Sequence, residues 1–141
     1  MKQLPLPAAV CAFLLAACGP SFVNPETQPF LLKASDVPES LPLPTVEYQF
    51  LGNTFSEKTG IVEEQKSATG GRYVVYGFAT SIGSSSSDAA LSVYYKGREG
   101  GNDQWVAQWD SDGKAGKETF IYQQGTTRSF VDTEKFKLSV R

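Results

Sequence analysis

Arg72-Tyr73-Val74-Val75-Tyr76-Gly77-Phe78-Ala79-Thr80 carries six β-branched or aromatic residues in nine positions and no charge after Arg72. Such residues pack well on a pleated surface and lose side-chain freedom in a helix, so the stretch is read as a central β-strand. Gly77 inside it predicts a bulge or a close approach by another backbone. On either side the apolar period is two. Upstream, Val46, Tyr48 and Phe50 alternate with Glu47 and Gln49, and Gly52-Asn53 end the run. Downstream, Leu91, Val93 and Tyr95 alternate with Ser92, Tyr94 and Lys96, and Phe136, Leu138 and Val140 with Lys137, Ser139 and Arg141. Each pattern predicts a strand with one dry face and one wet face.

Residues 61–66, 104–109, 118–123 and 128–131 complete the predicted strands. The turns between them are short, and no helical pattern intervenes, which favours antiparallel pairing over βαβ units. Seven or eight strands in roughly 95 residues predict an all-β antiparallel sandwich of immunoglobulin-like type, with a small barrel as the alternative. The expected core is Val46, Tyr48, Val74, Tyr76, Leu91, Val93, Phe136, Leu138 and Val140. Leu31, Leu32, Val37 and Leu41 are expected to cover one end of it.

The first 18 residues have a different layout. Lys2 precedes an apolar run through Ala8-Ala9-Val10, Phe13, Leu14 and Leu15 to the small residues Ala16 and Ala17, and Gly19-Pro20 end it. That is the order of a signal peptide, and the run is about half of the roughly 20 apolar residues a spanning helix needs. Leu15-Ala16-Ala17-Cys18 resembles the lipobox of bacterial lipoproteins at every position. Cys11 follows the bulkier Val10 inside the apolar run and matches less well. The resemblance implies diacylglycerol transfer to the Cys18 thiol, cleavage before Cys18 and acylation of the new amino terminus. It also implies a cell-envelope location, in the outer membrane of a diderm cell, since Gly19 and not aspartate follows the cysteine. The domain plan is then a signal peptide over 1–17, a lipidated cysteine with tether and short helical turn over 18–44, and the sandwich over 45–141. Pro20, Pro25 and Pro29 make 19–30 a tether reaching roughly 40 Å.

A second resemblance covers 72–141. Tyr76-Gly77-Phe78 before a loop, Leu91-Ser92-Val93-Tyr94-Tyr95, and Gly125-Thr126-Thr127-Arg128-Ser129-Phe130 are similar to the strand order of small bacterial immunoglobulin-like envelope modules. The Cys-Trp-Cys spacing of antibody domains is absent.

Composition narrows the chemistry. The chain has no histidine and two cysteines, one in the signal peptide and one acylated under the lipobox reading. That removes the commonest general base, free-thiol catalysis and most zinc sites. A net charge of −2 without a basic block argues against nucleic acid as partner. No cofactor is expected. Asp110-Ser111-Asp112-Gly113 begins like a calcium loop, but Lys114, Ala115 and Ile121 occupy positions that need a ligand, a glycine and a bidentate glutamate, so a polar hairpin turn is read there. Nothing fixes Ser84 to Ser87 against a base such as Lys96 or Lys66.

Trp105 and Trp109 share a strand face about 13 Å long with Ala107 and either fill the core or form an aromatic platform for a sugar or peptide. The overall expectation is a lipid-anchored envelope protein that binds or assembles with an envelope protein partner and is not an enzyme. Loops 82–88 and 97–103 are the expected contact points, with the Trp105–Trp109 face as the alternative.

Overall fold

A computed structural model describes residues 25–83 and 88–141. The expected signal peptide, Cys18 and the serine run 84–87 lie outside them. The described residues hold ten strands and two short 3-10 turns, Gln28–Phe30 and Ala34–Asp36. The strands are β1 (Leu32–Lys33), β2 (Thr45–Phe50), β3 (Asn53–Lys58), β4 (Gly60–Lys66), β5 (Arg72–Ile82), β6 (Ala89–Glu99), β7 (Asn102–Ser111), β8 (Lys114–Ile121), β9 (Arg128–Asp132) and β10 (Phe136–Val140).

They form two antiparallel sheets. One runs β3-β2-β10-β9; the other runs β4-β5-β6-β7-β8, with the two residues of β1 also paired to β5. The predicted antiparallel sandwich is therefore the observed architecture. Within each sheet most pairs are sequence neighbours; the chain changes sheet between β3 and β4 and again between β8 and β9, and β10 returns to pair β2. Immunoglobulin domains use Greek-key crossings. The likeness to immunoglobulin-like modules thus extends to two packed antiparallel sheets and not to strand order.

The core lies between the sheets. The smaller sheet contributes Val46, Tyr48 and Phe50 from β2 and Phe136, Leu138 and Val140 from β10, in the alternation expected of a strand wet on its other face. The larger sheet faces them with Leu91, Val93, Tyr95, Trp105, Ala107 and Phe120. Leu32, Val37, Leu41 and Leu43 pack against this core, as the sequence predicts for three of them, while Leu31 joins a second cluster.

That second cluster is on the outer face of the larger sheet, where Val75, Tyr94 and Val106 would otherwise meet water. Residues 25–31 cross it as a strap. Phe30, 6% exposed, stacks on Tyr94 with ring centroids 4.9 Å apart, and Thr27 Oγ1 donates to Glu63 Oε1 at 2.5 Å. The expected tether therefore ends earlier than Phe30. Proline spacing excludes a long regular helix but not the 3-10 turn at Gln28–Phe30, nor docking of the one aromatic between Pro29 and Leu31.

Tyr94 fits under the strap because its cross-strand partner is Gly77. A Cβ at Gly77 would lie 2.2 Å from the Val93 carbonyl oxygen and 2.6 Å from the Tyr94 ring. Of the two readings of this glycine, close approach holds. β4 accompanies β5 only as far as Gly77, so 78–82 have no partner on that edge among the described residues.

Gly77→Ala is expected to cost about 1–3 kcal/mol through overpacking against backbone, seen as a lower urea midpoint with unchanged slope. Gly60→Ala, where a Cβ meets nothing within 4 Å, should change the stability by less than about 0.5 kcal/mol.

Candidate functional site

The two tryptophans on β7 share a face but not an environment. Trp105 is 0% exposed and packs against Tyr95, ring centroids 5.2 Å apart, beneath the smaller sheet. It presents no ring to a ligand, so of the two readings of the pair Trp105 takes the core one, and a two-ring platform is not formed. The sequence left open which face of β7 is dry; both are. Val106 on the opposite side is buried under the strap cluster, so 105–107 are closed in on both faces.

Four residues beyond Trp105, the inner face emerges from cover, and Trp109 is half-buried. Its indole lies against Gly116 on β8, where a Cβ would come within 2.3 Å of the ring. Its other neighbour is Phe130 on β9, at 6.0 Å between centroids and 34° between planes. Phe130 is itself held by Phe120 at 4.9 Å and capped by the Arg128 guanidinium at 5.7 Å.

These rings line a cleft of about 610 Å³ at one end of the sandwich, between the β7–β8 and β9–β10 hairpins. The first hairpin turns on Asp112-Gly113, both at positive φ, with Ser111 opposite Lys114. That is the two-residue turn of a hairpin, as read from the sequence, and it puts the Asp112 carboxylate at the cleft mouth. Lys135 of the second turn donates to Asp112 Oδ1 at 2.6 Å while its ammonium stays 5.4 Å from the Phe50 ring. One exposed ion pair thus links the two hairpin tips. Asp132, Glu134 and Lys114 complete the rim. Among the described residues no group of three or more histidine, cysteine, aspartate or glutamate side chains is arranged to hold a metal ion.

A second, shallower groove of about 670 Å³ lies on the outer face of the larger sheet beside the strap. Ala79, Ala90, Ser92 and Ala115 give it a floor of small side chains, with Gln108, Asp110 and Lys117 along one side.

The expected contact loops change character. Residues 97–103 are mostly strand: β6 and β7 run to a two-residue turn at Gly100-Gly101, with Glu99 opposite Asn102. Glycine content suggested a long loop where it supplies one tight turn. Within 82–88, the serines lie outside the described residues.

Three tyrosines have raised pKa values. Burial, then the charges of Glu26 and Glu63, push Tyr94 up to about 12. Tyr95 is raised well beyond the usual tyrosine range by burial and by donating to Asp103 Oδ1 at 2.7 Å; Arg98 pairs with the same carboxylate. Tyr48 is raised by burial and the Glu57 charge.

No protein family matches the chain, and neither a curated protein nor a solved structure is significantly similar to it.

The tyrosines set an alkaline limit. Because the folded-state pKa of Tyr94 lies above the unfolded value of about 10, the unfolded chain loses its proton first, and the stabilisation present below pH 10 is lost as pH rises towards 12. Urea midpoints should fall steeply across that window, with phenolate absorbance rising in step with unfolding. In Tyr94→Phe the fall should be shallower.

Proposed function

We propose that the protein is a lipid-anchored cell-envelope protein that acts by binding or assembly and not by catalysis, attached through Cys18 to the outer membrane where the cell has one. The observation that carries this reading is how closely the folded unit follows the acceptor cysteine. The strap is docked by Thr27 and Phe30, and only 19–24 separate Cys18 from the first described residue, Pro25. Seven residue steps reach at most about 25 Å. A domain with so short a reach works on what lies within a few nanometres of its anchor. Tethering of this kind raises the effective concentration of a nearby partner without any new contact.

The end cleft is the surface best suited to such contact. It combines aromatic side chains with hydrogen-bonding groups of both kinds, which is how a pocket fixes a ligand's orientation. The same targeting signal points to another envelope protein as the partner class.

Cys18→Ser should release the protein from membranes, because one acyl chain binds only marginally, at about 10⁴ M⁻¹, whereas two or three make attachment lasting. Fractionation after a high-salt wash checks this. A Cys18→Ser protein that stays with the membrane pellet would sink the lipid-anchor reading.

A further inference from the structure

We propose that the cleft between the β7–β8 and β9–β10 hairpins is a binding site for a neutral pyranose oligosaccharide, with one sugar ring seated on Trp109 and Phe130. The proposal rests on the binding reading above but not on the lipid anchor.

Three features of the cleft point to this class of ligand. First, its aromatic surface is preformed. Trp109 is held by Gly116 and Phe130 by Phe120, so the two rings keep their 34° tilt at 6.0 Å without a ligand. Rings that are already ordered add contact area at little entropic cost, and the flat C–H face of a pyranose is a matching apolar surface. Second, the rim offers both acceptors and donors. Asp132 and Glu134 accept, Lys114 and Ser111 donate, and a sugar hydroxyl does both. Lys137 approaches Asp132 only at 3.5 Å, so that carboxylate keeps acceptor capacity.

Third, the charge balance disfavours an anion. Asp112, Asp132 and Glu134 outnumber Lys114 and Lys135, and Lys135 is already paired to Asp112. An extended peptide would be expected to use the free strand edges of the sheets, where backbone hydrogen bonds supply the affinity. This cleft is walled by side chains and hairpin tips instead. Its volume of about 610 Å³ falls within the range of sites for ligands of a few rings.

The test uses the full-length protein in a polyoxyethylene detergent, which has no sugar headgroup to compete. Cellotetraose and maltotetraose, one β-linked and one α-linked, are titrated in turn, with tryptophan emission and calorimetry as readouts. At least one should bind saturably with a millimolar or lower Kd and shift the emission, since Trp109 is the accessible indole. Trp109→Phe should weaken binding about fivefold to tenfold. Glu134→Gln and Asp132→Asn, both exposed and near-isosteric, should each weaken it severalfold. Asp110→Asn, in the outer groove, should leave it unchanged.

No saturable binding of either tetrasaccharide at millimolar concentration would overturn the proposal. So would binding that all three cleft variants leave intact. A protein that ignores both sugars yet still captures an envelope partner overturns the ligand class and leaves the binding reading standing; failure of both removes that reading as well.

Discussion

The pairing of β2 with β10 is the constraint on which the fold depends. It joins Val46 to Val140, Tyr48 to Leu138 and Phe50 to Phe136 across almost the whole folded sequence, and it is the closure that turns a run of hairpins into two packed sheets. Backbone bonds between Thr45 and Arg141 in both directions, with an ion pair from Arg141 to Glu47, finish the seam. Hairpins alone would leave each sheet with an exposed apolar face. The seam places the dry faces of β2 and β10 opposite those of β6 and β7. It also makes formation of the core a long-range event, late and slow compared with the hairpins it unites.

The larger sheet solves a second problem. Val75, Tyr94 and Val106 face away from the core, and a sheet that displayed them would carry an apolar patch in water. The strap covers them with Phe30, and Gly77 lets the Tyr94 ring lie flat enough to be covered. β6 and β7 are consequently dry on both faces through their middles, and Trp105 is sealed in. At the far end of β7 and β8 the cover thins to the β9–β10 hairpin, and the Trp109 cleft opens there.

Legibility of the sequence tracked this distribution of water. β2 and β10 were readable because each has one wet face, so their residues alternate. β6 showed the pattern imperfectly because Ser92 and Tyr94 are buried too. β3 is not legible as a strand, since all six of its residues are exposed and it has no apolar period; its place is given by backbone pairing to β2 and by the stack of Phe55 on Tyr48. The strap was missed because the signal that docks it is a contact between Phe30 and Tyr94, 64 positions apart, which no local pattern contains. The two tryptophans could be placed on one face from spacing, but their different fates depend on how far the opposing sheet extends.

The strap also determines how the molecule would bear tension. A pull on Cys18, if that is the point of attachment, enters at Pro25 and meets first the Phe30 stack, the Thr27 hydrogen bond and the two-residue β1, which can yield one after another as a seam is unpicked. The β2–β10 closure is loaded only after 25–44 have been drawn out, a slack of roughly 70 Å. The attachment would behave as a short leash at rest and a long one under load, with the β2–β10 closure shielded from the force until the slack is spent.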